Sequence, residues 1–298
     1  MRVLITGATG FLGSAIAHAC VASGFDVSAI RRPHSNLTRL SGIVERITFH
    51  DNTDAGVAAA LNYQGGCDAV IHTATCYGRN GETNATLLEA NTKFPLIILE
   101  KSLDLGTSLF INIDTVLSAQ INAYALSKRQ FADWGHMLCK SGMMRFVNVR
   151  LEHLFGPGDD PSRFLTYIIR QFLANAESVS LTEGSQMRDF IYINDAAAGI
   201  MKILNAKEKL PAGWSEIDLG SGQPVSIRQL VERIHNLMES NTQLFFGKIP
   251  YRANEPMKSI ADISKIVELG WTCRMSLEDG LMETINFEKS KLLVDGTI

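Results

Sequence analysis

Short runs rich in apolar residues punctuate the first half of the chain, at 3–6, 27–30, 47–50, 69–74, 109–113 and 146–149. Between them lie stretches with helical spacing at 12–21, 55–61, 85–103 and 124–139, and another at 164–174. Continuous apolar strands separated by helices imply a sheet buried on both faces, so the pattern predicts parallel strands covered by helices. This is an α/β fold, a doubly wound Rossmann-type sheet.

After about Gly156 the rhythm changes. Pro157-Gly158-Asp159-Asp160-Pro161 reads as a turn-rich hinge. Beyond it, short strands at 178–181, 216–219 and 244–246 no longer alternate strictly with helices. The expected organisation is a first domain over 1–156 and a smaller α/β region over 157–298, with some return of the chain to the first core.

Composition excludes more than it suggests. A net charge of −3 argues against a nucleic-acid partner, although local basic residues can still hold an acidic substrate. The five cysteines are scattered without CxxC spacing, which predicts a reducing compartment and neither a metal site nor a disulfide framework. No apolar run reaches the roughly 18 residues of a membrane span. The opening segment to Cys20 carries one basic residue, Arg2, and its apolar stretch is broken by glycines, Thr6 and Thr9. It reads as strand, loop and helix rather than a signal peptide, so a cytoplasmic location is expected.

The first strand runs straight into Gly7-Ala8-Thr9-Gly10-Phe11-Leu12-Gly13. Glycines between a strand and a helix let the backbone turn tightly and approach a pyrophosphate, whose charge sits at the helix N-terminus. A plain strand–helix turn is the alternative, but position favours a dinucleotide loop. Gly7, Thr9, Gly10, Phe11, Leu12 and Gly13 are therefore candidate cofactor contacts. An NAD-binding fold places a carboxylate at the end of the second strand to hold the ribose hydroxyls. Here that place holds Arg31, followed by Arg32. Two guanidinium groups suit a 2′-phosphate, which favours NADP while leaving NAD open. A solvated pair at a loop end is the other reading.

Tyr124 and Lys128 stand four residues apart on an expected helix, on one face and one turn apart. A phenol of pKa about 10 needs about 4 kcal/mol of help to exchange protons near neutrality, roughly one charge at about 4 Å. Thr115 ends the fifth strand, where α/β folds bind ligands, so its hydroxyl can bond a substrate oxygen beside Tyr124. An exposed helical pair is the alternative; the position after the fifth strand favours catalysis.

In this order, the glycine loop, the strand Asp68-Ala69-Val70-Ile71-His72-Thr73-Ala74, Thr115, and Tyr124 with Lys128 resemble the extended short-chain dehydrogenase/reductase family of nucleotide-sugar enzymes. Arg150 to Pro157, Arg188-Asp189-Phe190-Ile191-Tyr192 and Glu255-Pro256 to Gly270-Trp271 follow in family order. The resemblance implies a catalytic triad of Thr115, Tyr124 and Lys128. It implies adenine contact by Asp51, with Asn52 beside it, and a cofactor wall at Thr73, Ala74 and Thr75. Leu151, just after the sixth strand, stands beside the nicotinamide, and Asn91 reaches toward the active-site backbone or is structural. Arg188 and Arg252 are implied contacts for the nucleotide and diphosphate of a nucleotide-diphosphate sugar, with Tyr77 and His153 also on the substrate side. Arg252 as a surface residue and His72 as a strand-end structural histidine are the plainer alternatives.

Departures narrow the reaction. Val116-Leu117 replace the Asp-Glu pair of the 4,6-dehydratases, which argues against dehydration. Eight residues separate Thr115 from Tyr124, a shorter loop than in many epimerases. His153 stands where asparagine is common and Asn194 where a charge is usual. The wording at 73–79 and 110–131 is similar to the CDP-abequose and CDP-paratose synthase group, NADPH-dependent 4-ketohexose reductases. The expected function is reduction of a nucleotide-linked 4-keto-6-deoxyhexose at C4 by NADPH. A C4 epimerase with bound NAD is the alternative, and a non-catalytic cofactor sensor or scaffold the outside one. The resemblance also implies a homodimer through the helices at 85–103 and 124–139.

Overall fold

A computed structural model describes residues 1–294. The last four positions of the region expected over 157–298 lie outside the described residues. Strand β1 (Arg2–Thr6), helix α1 (Phe11–Ala22), β2 (Asp26–Arg31), β3 (Ile47–Asp51), α2 (Asp54–Leu61) and β4 (Ala69–His72) open the chain. Next come α3 (Asn84–Leu88), a π turn (Glu89–Lys93), α4 (Phe94–Asp104), β5 (Leu109–Thr115), α5 (Ala123–Leu138) and β6 (Arg145–Leu151). The chain continues through β7 (His153–Phe155), α6 (Phe164–Leu173), β8 (Ser178–Ser180), β9 (Met187–Tyr192), α7 (Ile193–Asn205) and β10 (Gly213–Leu219). It ends with β11 (Pro224–Ser226), α8 (Ile227–Leu237), β12 (Gln243–Phe245), α9 (Ser264–Glu268) and α10 (Leu277–Val294).

Seven strands form one parallel sheet in the order β10-β6-β5-β4-β1-β2-β3. The order reverses between β1 and β4, the switch point where such folds open a crevice for a ligand. Val3, Leu4, Ile5, Val70, Ile71, Phe110 and Ile111 are almost fully buried, as strands covered on both faces require. Under α5 the core is aromatic: Phe110, Phe131 and Phe146 pack with centroids 5.2–5.9 Å apart.

The chain divides into two compact units. The first holds Met1–Leu151, Ala197–Leu219 and Ser264–Trp271; the second holds Glu152–Ala196, Gly220–Ile263 and the described chain from Thr272 on. The division falls at Leu151 rather than at 156, because β7 pairs with β9 in a separate sheet instead of extending β6. In the second unit β11, β9 and β7 form a three-stranded sheet, and β12 pairs with β8. Asp189, fully buried, accepts from the backbone N–H groups of Ser221, Gly222 and Ala261, which ties two loops to β9.

Three sequence expectations need correction. The single helix at 85–103 is two α segments joined by the π turn. The fourth strand stops at His72, leaving Thr73, Ala74 and Thr75 in a loop, and Leu151 is the last residue of β6 rather than beyond it. No helix was expected at 277–294, where α10 lies.

Candidate active site

The ends of β1 and β4 are stapled at the switch point. Thr73 Oγ1 donates to Thr6 O at 2.7 Å, and Thr6 Oγ1 lies 2.7 Å from His72 Nδ1. Gly7 then turns the chain at φ +74°, and a Cβ there would meet Ala74 N at 2.6 Å. A Cβ on Gly13 would lie 2.1 Å from Gly7 O and 2.7 Å from Thr73 Oγ1. Only glycine permits this close approach of loop, helix and post-β4 segment. Gly10 caps α1 without a side-chain bond, so the first N–H groups of this 12-residue helix are open to an anion. Thr9 and Phe11 are half-buried beside it, with Leu12 and Gly13 buried behind.

Thr115, Tyr124 and Lys128 belong to this first unit. Asn122 caps α5 by accepting from Ala125 N at 2.8 Å, fixing the helix start two residues before Tyr124. Tyr124 is half-buried, and Tyr77 lies against it with ring centroids 5.1 Å apart. Thr115 Oγ1 accepts from Leu117 N at 3.2 Å, which leaves its own hydroxyl hydrogen for a ligand. Lys128 is 1 % exposed, and no hydrogen bond reaches its Nζ among the described residues. Burial pushes its pKa from 10.5 down to about 8, and the nearby Asp114 opposes that shift. A buried ammonium with open donors is built for a partner from outside the chain. The glycine cradle, the open helix end and this lysine together fit a dinucleotide.

Asn91 sits in the π turn, fully buried. Its Nδ2 donates to Cys76 O at 2.8 Å and Ser127 Oγ at 3.0 Å; its Oδ1 accepts from Cys76 N and Thr75 Oγ1. It ties the loop at Thr75 and Cys76 to α5. His72 is fully buried; desolvation and then Lys128 push its pKa well below the usual range. Its Nδ1 is bonded to Thr6, while its Nε2 is buried with no hydrogen-bond partner among the described residues.

At the far edge, Arg31 ends β2 with its guanidinium 4.7 Å over the Phe49 ring, and Arg32 is exposed. Asp51 ends β3 beside exposed Asn52, on a cavity of about 420 Å³ lined also by Phe49, His50 and Thr53. Asp51 is the register partner of Arg31, and among the described residues no ion pair joins either arginine to a carboxylate.

The second unit holds the other expected substrate residues. Arg188 is 7 % exposed and its Nη2 donates to Glu255 at 2.5 Å. Glu255 N in turn bonds Arg252 O at 3.1 Å, so one turn carries the partner of Arg188 and the exposed Arg252. His153 is half-buried, tilted against Phe190 with ring centroids 5.6 Å apart and bonded through Nδ1 to Glu152. Leu151, half-buried, closes β6 in the first unit.

Sequence reasoning missed a polar network under α5. Asn112 donates to Asn148 Oδ1 at 2.8 Å, and Asn148 donates to Asp114 Oδ2 and Glu216 Oε2. Its signal was present as polar residues at alternate positions of otherwise apolar strands. Among the described residues no cluster of His, Cys, Asp and Glu suits a metal ion, and no helix is long and apolar enough to cross a membrane.

The model of the NAD dependent epimerase/dehydratase family matches residues 3–215. The chain is 30 % identical over 293 residues to a CDP-abequose synthase of Salmonella typhimurium, covering 95 % of this chain and 97 % of that one. A CDP-abequose synthase of Salmonella muenchen is 28 % identical over 295 residues, covering 97 % and 98 %. Among solved structures, the UDP-glucuronic acid 4-epimerase of Bacillus cereus in complex with UDP-glucuronic acid and NAD superposes with a TM-score of 0.83. It is 23 % identical, over 98 % of this chain and 100 % of that one.

Proposed function

The chain belongs to the NAD dependent epimerase/dehydratase family of nucleotide-sugar enzymes, and from that premise we propose that it reduces a nucleotide-linked 4-keto-6-deoxyhexose at C4 with NADPH. The observation that carries this reading is the end-to-end match to two CDP-abequose synthases. The apolar Val116-Leu117 after Thr115 agrees with it, since neither side chain can move the protons of a dehydration.

Reduction adds a hydride to C4 and a proton to its oxygen. The nicotinamide cofactor supplies the hydride when bound. Tyr124 donates the proton, and Thr115, its lone pair taken by Leu117 N, donates a hydrogen bond to the same oxygen. Lys128, charged and buried beneath them, holds the ribose hydroxyls and favours the tyrosinate that proton donation leaves behind. Gly7 to Gly13 hold the pyrophosphate, and Thr73, Ala74 and Thr75 line the cofactor. Asp51 and Asn52 take the adenine end, while Arg31 and Arg32 hold a 2′-phosphate. Leu151 flanks the nicotinamide. Arg188, Arg252, His153 and Tyr77 serve the nucleotide-diphosphate sugar.

The test is incubation with NADPH and a CDP-linked 4-keto-6-deoxyhexose, followed by absorbance and by NMR of the C4 carbinol. Stoichiometric NADPH oxidation supports the reading, and tighter NADH than NADPH binding removes the NADP assignment. C4 epimerisation is the second reading, favoured by the likeness in fold to a 4-epimerase bound to NAD. Stoichiometric NAD released on denaturation, with interconversion of C4 epimers and no consumption of NADPH, decides for it. Leu88 on α3, with Leu126, Trp134 and Met137 on α5, is a large exposed apolar residue, which supports a homodimer. Light scattering tests it.

A further inference from the structure

The face of the sheet beneath α5 is apolar at one end and polar at the other. Register places Phe110, Phe146 and Trp214 in one row across β5, β6 and β10. Asn112, Asn148 and Glu216 form the next, and Asp114, Arg150 and Asp218 the last. Phe131 of α5 packs on the aromatic row with a centroid distance of 5.9 Å to Phe110, so all three rows lie on the helix-facing side. Polar groups beneath a helix are costly unless each is satisfied.

Most of these charges are already matched. Arg150 donates to both oxygens of Asp218, at 2.6 and 2.8 Å, and stands 3.4 Å from Glu216. Asp114 differs. It is 7 % exposed, its Oδ1 accepts from Thr115 N at 2.8 Å and its Oδ2 from Asn148 at 3.0 Å. Both donors are neutral, and among the described residues it has no ion pair within 4 Å. Lys128 lies one turn before Phe131 on α5 and is buried on the same helix face; Asp114 is the carboxylate whose charge favours its ammonium, and among the described residues no hydrogen bond reaches its Nζ.

Resting on the oxidoreductase reading above, we propose that Asp114 is the positioning residue for Lys128, a carboxylate pinned by Thr115 and Asn148 as its counter-charge. A cavity of about 270 Å³, lined by Asp114, Thr115, Val116, Leu117, Arg129 and Arg150, opens on that carboxylate. The other groups facing the ammonium do not replace Asp114. His72 on β4 is held neutral, and the π turn contributes the uncharged Asn91 and Thr92. Tyr124 on α5 gains its charge only in the reaction. Glu216 and Asp218 are engaged by Arg150, and Arg129 pairs with Asp133 one turn along α5. Asp114 and Lys128 are both almost fully buried, where charges are screened less than at the surface. The same bond from Thr115 N links the counter-charge to the strand end that carries the catalytic hydroxyl.

The experiment pairs Asp114→Asn with Lys128→Met and with the double variant, reading NADPH fluorescence across pH and apo melting temperature. In wild type, affinity falls as pH rises through the Lys128 titration. In Asp114→Asn the fall moves to lower pH, giving about tenfold weaker binding near pH 8 and near-equal binding near pH 6. The lone variant melts lower than wild type. Adding Asp114→Asn to Lys128→Met leaves the melting temperature unchanged or raised, because the unmatched carboxylate is then gone. A uniform loss of affinity at every pH, or the same melting penalty in both backgrounds, overturns the proposal. Should Asp114→Asn not fold, the comparison within Lys128→Met alone decides it. Failure to bind NADPH or NADH at any pH overturns the oxidoreductase reading instead, and the melting cycle still tests the pair.

Discussion

Asn91 Nδ2 donates to Ser127 Oγ at 3.0 Å, joining the π turn between α3 and α4 to the residue that precedes Lys128. A π turn gives poorer backbone geometry than an α turn and tends to occur at functional sites. Here the four bonds of the Asn91 side chain offset that cost. They place Thr75 and Cys76 on one side of the amide and α5 on the other.

Asn91→Leu therefore leaves buried backbone and hydroxyl groups unmatched. We expect a loss of about 2–4 kcal/mol in denaturant unfolding and weaker cofactor binding. Asn91→Asp keeps the acceptor contacts and loses the two donated ones, so it should fall between Asn91→Leu and wild type in stability.

Gly13→Ala forces a methyl group to within 2.1 Å of Gly7 O, a backbone atom that cannot swing aside, and 2.7 Å of Thr73 Oγ1. The glycine loop has to move, so NADPH affinity should drop at least about tenfold in a fluorescence titration while the sheet keeps its circular dichroism.

Tyr124→Phe removes the proposed proton donor and keeps the ring that packs on Tyr77. Turnover should fall by about 10²–10⁴ with cofactor affinity nearly unchanged. Full turnover in steady-state assays removes Tyr124 from the chemistry.

Lys128 gives a pH signature in the apo protein. Its folded pKa of about 8 lies below 10.5, so between those values the unfolded chain binds more protons and stability rises with pH. Its burial costs the apo fold up to about 3 kcal/mol at neutral pH. Lys128→Met should lack the rise in urea unfolding and be more stable near pH 7, yet bind cofactor poorly.

Arg188→Ala strips Glu255 of its partner in the second unit. Affinity for CDP should weaken by about 10–100-fold in calorimetry, while NADPH binding stays the same, because the glycine loop belongs to the other unit.

Parts of this site are readable in order along the chain because they are local. Gly7 to Gly13 follow a strand and open a helix, and both facts are encoded within about ten residues. Tyr124 and Lys128 share a face by helix geometry alone. Arg31 stands at a strand end that the apolar run from Val27 already marks. The polar residues Asn112 and Asp114 are also visible, breaking an apolar strand at alternate positions. Their partners are not, because nothing near them in the chain says that β10 lies beside β6.

The sequence by itself therefore determined the sheet, the glycine loop between strand and helix, and which candidate side chains share a helix face, since each depends on residues a turn or a strand apart. Tertiary structure decided what those side chains touch. Asn91 reaches a loop 15 residues back and a helix 36 residues ahead, and that pull turns one expected helix into two with a π turn between them. Arg188 finds Glu255 across 67 residues, and among the described residues Asp114 is left without an ion pair because Arg150 is taken by Asp218 across 68. Such pairings come from closing long loops around a common core, where burial makes every polar group find a partner or wait for a ligand.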